Sequence, residues 1–434
     1  MKLKRIFFCI LLLIFSVQIF SQPRKEREQF INHIILSEIY KIPSGEQDST
    51  EQLYYIYKIP YNRLVFEKSD DHYTASYRLT VEIHDSSANN IIRKIKEDKI
   101  SVTSFEETDE ANIYTEGLLS FQISTNKKYN LFPILFDENS SKEIRLNKTP
   151  IFYENGKNNQ DEFLEPLVVN FKQKGEGSSS IFTISNFDGY IPFAEEEYDL
   201  LIPCSDTALQ KLYVSLINNE DTVFTGDIND AATFHNSIEE KNGKIILSNN
   251  DKGKVFKNFI FPFINKKIFE GELTINISKN DDSESHLTFN KKVRWIDKPF
   301  SSMNPESAIN FLKYMESDSV IDSLLDFKKK DYAKILFNYW KRFDPTPETS
   351  FNELMNEYYS RIDYTLKHFS SLSGKRGFDT DRGKIFILYG KPSELERTSN
   401  QFGKVVETWI YKNPERKFLF IDETGTGEYQ LKNG

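Results

Sequence analysis

The chain has 434 residues, of which 38% are hydrophobic and 28% charged, and its formal net charge is -9. That length exceeds what one hydrophobic core usually supports, and the apolar content excludes disorder as the dominant state. The acidic balance argues against nucleic acid or anionic lipid as a main partner, and no internal apolar run is long enough to span a bilayer.

The chain opens with Lys2, Lys4 and Arg5, passes through the apolar run 6–15 and turns polar at Gln22. This pattern predicts a cleavable signal peptide over residues 1–21, and hence a periplasmic or secreted protein with no integral membrane segment after cleavage. Loss of those three basic residues takes the net charge from -9 to -12. Only Cys204 of the two cysteines then remains, so no intrachain disulfide is available. It follows Leu201-Ile202-Pro203 and reads as a buried, inert thiol.

Residues 22–160 carry strand patterns. The clearest has Tyr73, Ala75, Tyr77, Leu79, Val81 and Ile83 alternating with polar residues, which predicts one buried and one solvated face. Further strands are expected at 52–59, 62–67, 117–124 and 129–137. The Tyr54-Tyr55-Ile56-Tyr57 segment is either strand core or an exposed aromatic patch. A second strand-rich block, 161–298, contains Leu273, Ile275 and Ile277, then Leu287, Phe289, Lys291, Val293 and Trp295. The economical reading is mainly β: two tandem antiparallel β-sandwiches of immunoglobulin-like size.

Beyond residue 298 the period becomes helical. Asn304 caps a helix with Pro305 at its first position and an apolar stripe from Ile309 to Leu325. A second helix is expected at 331–342. A third starts at Ser350, with Glu353 completing a capping box and Phe351, Leu354, Tyr358, Ile362, Leu366 and Phe369 as its stripe. Strands are predicted at 384–389, 405–411, 418–422 and 428–431, with a Gly425-Thr426-Gly427 hairpin between the last two. Residues 299–434 thus form an α+β module of three helices packed on a small antiparallel sheet.

The segment Gly377-Phe378-Asp379-Thr380-Asp381-Arg382-Gly383 resembles the signature of the GWxTD-domain proteins, an exported family typical of Bacteroidetes and relatives. The upstream Trp340-Lys341-Arg342-Phe343-Asp344-Pro345 and Glu357-Tyr358-Tyr359-Ser360-Arg361 resemble the helical part of that domain. Phe378 stands where the family has Trp, which keeps an aromatic and loses an indole N–H donor. The resemblance implies fold and export; it brings no activity.

The candidate ligand-binding or structural polar cluster is Arg342, Asp344, Glu357, Arg361, Gly377, Phe378, Thr380, Asp381 and Arg382. Either these residues fix the crossover from helix to sheet, with Thr380 and Asp381 bonding nearby backbone N–H groups and Arg382 pairing with a carboxylate, or Asp381 or Glu357 acts as acid or base beside arginines that hold substrate. The structural reading is preferred. Histidines are scattered without ligand spacing and no phosphate loop or serine elbow is present, so neither metal nor cofactor is expected. The leading expectation is a non-enzymatic envelope protein that recognises a protein or cell-wall component. Its alternatives are a glycan or cell-wall hydrolase, and an accessory factor for export that captures extended chains on sheet edges.

Overall fold

The computed structural model describes residues 35–433 apart from 44–49, 86–89, 110–112, 126, 152–161, 175–179, 187–188, 195, 250–253 and 281–285. The expected signal peptide lies outside the described residues. The chain is mainly β, with several antiparallel sheets and a few C-terminal helices. It divides into two compact units, one from the described parts of Met1–Pro192, Glu197–Ile264 and Gly271–Arg294, the other from those of Phe193–Glu196, Asn265–Glu270 and Trp295–Gly434.

The first unit begins with β1 (Leu36–Pro43), β2 (Thr50–Pro60), β3 (Glu67–Ser69), β4 (His72–Asp85), β5 (Ile91–Val102), a one-turn helix α1 (Phe105–Thr108), β6 (Tyr114–Ser124), β7 (Tyr129–Asp137), β8 (Lys142–Arg145) and β9 (Thr149–Ile151). β1-β2-β6 form one antiparallel sheet, and β4 pairs with β3, β5 and β7 in another. The alternation along β4 buries Ala75, Tyr77, Leu79, Val81 and Ile83. They meet Leu53, Tyr55, Tyr57 and Ile59 of β2 in one core, where each fully buried aliphatic side chain contributes about 1.5–3 kcal/mol. Tyr57 and Tyr77 bond hydroxyl to hydroxyl at 3.0 Å. Across the ladder from Tyr57 stands Gly117, where a Cβ would lie 2.3 Å from the Tyr57 hydroxyl; the phenol leaves no space for a side chain there. The strand expected at 62–67 is absent: Tyr61–Arg63 forms a 3-10 turn behind Pro60, and pairing resumes only at Glu67. Pro60 supplies the fixed φ and lacks the N–H that would extend the ladder.

β2 is buried on both faces. Tyr54 and Ile56 join Tyr40 and Ile42 of β1 against apolar residues of the second strand-rich block, so the tyrosine-rich segment is core throughout. That block contains β10 (Leu167–Lys174), β11 (Ser180–Ile184), β12 (Tyr190–Pro192), β13 (Asp199–Cys204), β14 (Leu212–Asn218), β15 (Asp221–Ile228), β16 (Ala231–Lys241), β17 (Lys244–Asn249), β18 (Val255–Phe261), β19 (Gly271–Ser278) and β20 (Leu287–Arg294). Its architecture differs from the sandwich expected there: β10-β11-β17-β16-β18-β13 close into a barrel, beside a sheet ordered β12-β20-β19-β14-β15 in which β12 runs parallel to β20. Alternation fixes which face is buried, but it carries no information on whether a sheet closes on itself. Cys204 is fully buried, and burial pushes its thiol up to about 11, which leaves it un-ionised and inert at neutral pH.

A charged cluster sits inside this unit. Glu38 of β1 is buried beside the Tyr40 hydroxyl, and Lys291 of β20, also buried, bonds the half-exposed Glu165. Burial raises the Glu38 carboxyl from 4.5 to about 7, a rise that Lys291 only partly offsets. The folded state therefore binds this proton more tightly than the unfolded chain. Stability is then expected to fall as pH rises from 4.5 to about 7, by about 3 kcal/mol in total. Glu38→Gln should flatten that slope and melt above the wild type at pH 8; thermal melts across pH check this, and an unchanged slope in the variant would refute the assignment.

The second unit carries α2 (Pro305–Phe311), α3 (Asp318–Leu325), α4 (Tyr332–Trp340), α5 (Glu353–His368), α6 (Asp381–Tyr389) and an antiparallel sheet of β21 (Glu394–Ser399), β22 (Val405–Lys412), β23 (Glu415–Asp422) and β24 (Tyr429–Asn433), in that order. Asn304 caps α2 as expected, accepting from the Ser307 N–H at 2.9 Å. The single helix expected from there to Leu325 is broken, because the Phe311 carbonyl accepts the Tyr358 hydroxyl at 2.6 Å and a 3-10 turn follows at Leu312–Tyr314. α5 starts two residues later than its sequence suggests: Asn352 accepts from the Met355 N–H at 2.8 Å, while Glu353 takes the Thr346 hydroxyl. Its buried face is Tyr358, Tyr359, Ile362 and Thr365, and Leu354 and Leu366 of the expected stripe are exposed.

The largest revision concerns residues 384–389, expected as a strand and found as α6. A continuous apolar run suits either element, and here two features decide for helix. Thr380 caps the N-terminus and Gly390, at φ 74°, ends it in a conformation that favours glycine. α6 also lies between two cores: Ile387 packs with α2, α4 and α5, whereas Phe386 packs with the sheet.

Candidate functional site

The motif occupies the entry to α6. Gly377–Asp379 forms a 3-10 turn whose first N–H donates to the Ser370 hydroxyl at 3.0 Å. The Thr380 hydroxyl donates to the Gly377 carbonyl at 2.7 Å and accepts from the Gly383 N–H at 3.0 Å. Both glycines are demanded by close backbone approach. A Cβ at Gly377 would lie 1.7 Å from the Thr365 carbonyl oxygen, and one at Gly383 would lie 1.9 Å from that of Gly377. Phe378 is buried in the helical core, edge-on to Phe311 at 5.0 Å with the Arg376 guanidinium over its ring.

Asp381 is tied to the sheet. Its carboxylate accepts the Leu431 N–H at 3.0 Å, and so occupies a backbone donor on β24, which is an edge strand. Arg382 is buried. Its guanidinium lies 3.8 Å from the Tyr429 ring centroid and 4.9 Å from that of Phe369, and it donates to Glu407 at 3.1 Å and to the Gly427 carbonyl at 3.3 Å. Glu407, on the core-facing side of β22, is itself buried and also accepts from Arg397 of β21 and, at 3.4 Å, from the Trp409 indole. This bond to Glu407 holds Arg397 in its charged form.

The remaining candidates lie apart from this pair. Arg342 donates to the Tyr339 carbonyl at 3.2 Å and stacks on Tyr339 and Phe343. Asp344 accepts from the Thr346 N–H at 3.0 Å, fixing the Pro345–Pro347 turn. Glu357 and Arg361 pair one helical turn apart at 2.7 Å, and Arg361 also donates to the carbonyls of Ile387 and Leu388 at the end of α6. Among the described residues, no hydrogen bond or ion pair joins Arg342 or Asp344 to Asp381 or Arg382. Nor is any group of three or more His, Cys, Asp or Glu side chains placed among them to hold a metal.

This is the geometry of a motif that builds its own domain. Residues 277–433 match the family model of the GWxTD domain. The match takes in β20 and everything from α2 onward. No curated protein matches the chain. A solved structure described as "Biofilm associated protein - BSP domain" aligns at 11% identity over 62% of this chain and 53% of its own, with a TM-score of 0.18. The chain thus spans about half the length of that structure, and the low score supports no structural argument.

Within the GWxTD domain, sequence reasoning missed Glu407 and Asp379. Glu407 shares the inward parity of Trp409 and Tyr411 on one strand, and a carboxylate in such a row requires a buried cation. Asp379 fills the variable position of the motif, yet it accepts from Lys313 at 3.0 Å, the Tyr314 hydroxyl at 3.1 Å and Arg376 at 3.0 Å. Burial opposes its ionisation, but Lys313 and Arg376 outweigh burial and hold the carboxyl below its usual range.

Removing one member of a buried ion pair strands the other, so Glu407→Ala and Arg382→Met are each expected to destabilise the chain by about 3–5 kcal/mol. Arg397→Ala, which removes a largely exposed partner, is expected to cost about 1 kcal/mol or less. Denaturant titration of the three variants tests this order; equal losses at Arg382 and Arg397 would contradict it. By the same measurement Gly383→Ala should destabilise more than Thr380→Ala, whose lost cap costs about 1 kcal/mol.

Proposed function

We propose that this chain is an exported, non-enzymatic binding or scaffold protein of the bacterial cell envelope, whose GWxTD domain recognises a protein or cell-wall partner. The observation that carries this reading is the engagement of every charged residue of the motif inside its own domain. Arg382 is stacked between two rings and neutralised by Glu407, Asp381 occupies a backbone N–H of β24, and Asp379 gathers three donors. A general acid or base must instead be within reach of a substrate proton. The hydrolase alternative joins Arg342 to these carboxylates, yet Arg342 is stacked on Tyr339 and Phe343. Capture of extended chains on a sheet edge would suit β5, which among the described residues pairs with β4 alone. However, β5 sets Lys94 and Lys96 opposite Val81 and Leu79, and charges on the core-facing side of an edge discourage strand addition.

The test is complementation of a deletion strain by Asp344→Asn, Glu357→Gln and Asp381→Asn. These amides keep shape and an acceptor oxygen while removing acid–base chemistry. A binding protein should complement fully with each of them. Loss of complementation by a variant that melts like the wild type would favour the hydrolase.

A further inference from the structure

Helix α4 carries a row of side chains that the core does not use. Lys330, Lys334, Phe337 and Lys341 follow one another at helical spacing. A 3-10 turn leads into α4 from Lys329 and another carries it on to Phe343, so the four side chains share one face along about 16 Å of helix. The opposite face, with Tyr332, Leu336, Tyr339 and Trp340, is buried. All four members of the row are exposed. Phe337, 40% exposed, meets the ring of Phe269, 45% exposed, edge to face with centroids 6.3 Å apart, and Phe269 belongs to the same compact unit. Two phenyl rings thus make one apolar wedge beside a line of lysines.

The charge around this wedge has one sign. Residues 326–343 hold six basic side chains, Lys328, Lys329, Lys330, Lys334, Lys341 and Arg342, against Asp326 and Asp331. That is six minus two, or +4, and counting Glu306, which pairs with Lys329 at 2.7 Å, still leaves +3. Among the described residues, Lys330, Lys334 and Lys341 are in no ion pair. Glu270, next to Phe269, is paired with Lys298 at 2.7 Å.

We infer that this face of α4 lies on an anionic phospholipid bilayer, with Lys330, Lys334 and Lys341 against the headgroups and the Phe337 and Phe269 rings inserted at the boundary of the acyl chains. Lysines on the polar side of an apolar wedge are the composition that such a boundary selects. Phenylalanine has neither donor nor acceptor, so the wedge gains only from an apolar medium, which a hydrated polysaccharide or an acidic peptide does not supply. The net charge of -9 belongs to the whole chain; at about 0.1 M salt, charges more than about 10 Å from the bilayer are screened, and the local row decides the contact. One short face gives reversible binding, well short of insertion. The inference goes beyond the recognition reading and does not need it, since a membrane contact at α4 leaves the partner-binding surface of the domain unassigned.

The experiment is vesicle co-sedimentation of the full chain, purified from its own host, with phosphatidylethanolamine alone and mixed with phosphatidylglycerol. Four proteins are compared: wild type, the triple variant Lys330→Gln, Lys334→Gln, Lys341→Gln, then Phe337→Ser, and Phe402→Ser as an exposed apolar residue outside the row. Wild type should bind the phosphatidylglycerol vesicles more tightly than phosphatidylethanolamine, and less so as salt is raised. At about fivefold for each lysine, the triple variant should lose on the order of a hundredfold. Phe337→Ser should lose on the order of tenfold, and Phe402→Ser should match the wild type. Thermal melts check folding; should Phe337→Ser melt low, the triple variant, whose exposed lysines make no ion pair, decides alone. Equal binding to both vesicles, no binding to either, or full binding by the triple variant overturns the inference. So does competition by soluble glycerophosphoglycerol at the concentration of the lipid headgroup, which would make the row an anion site with no need of a bilayer. None of these results bears on the recognition reading, which the complementation test addresses.

Discussion

A buried carboxylate between two guanidiniums is the interaction on which the C-terminal domain depends. Glu407 is buried away from solvent, so Arg382 must come to it from α6 and Arg397 from β21. An ion pair taken out of water gains little over an apolar contact of the same shape, but it penalises every arrangement in which either partner is left alone. Stacking on Tyr429 and Phe369 adds a directional requirement, since a guanidinium face must meet both rings. Together these contacts fix the rotation of α6 about its axis and its position over β22 and β24.

That fixed rotation explains the spacing of the motif. α6 enters with its first turn pressed against the preceding 3-10 turn, so the residues that touch backbone, Gly377 and Gly383, have no Cβ. Thr380, three residues from each, links them through one hydroxyl that both donates and accepts. Phe378 and Asp379 point from the turn into the helical core and toward Lys313, and Asp381 and Arg382 toward the sheet. One turn therefore serves two cores, which places the residue types in this order without any ligand.

Much of this was legible in the sequence. The alternation of β4, the cap at Asn304 and the hairpin at Gly425–Gly427 all rest on local rules, and local contacts obey them. What stayed hidden depends on residues far apart in the chain. The run 384–389 looks like a strand because α6 is buried on both sides, which erases the amphipathic signal of a helix. Glu407 carries no mark until Arg382 is opposite it, and the barrel of the first unit is a property of closure that no single strand announces. The candidate cluster shows the same limit: Arg342 lies near the motif in sequence order, but its guanidinium is held by the aromatic residues around it.

The division of labour that results runs against the habit of reading a signature motif as an active site. A motif can be rigidly specified because the fold tolerates nothing else there, and in that case its residues are poor places to look for chemistry. Arg382 cannot both neutralise Glu407 and bind a substrate anion without leaving Glu407 unpaired in a dry site, a loss of several kcal/mol that a ligand would have to offset.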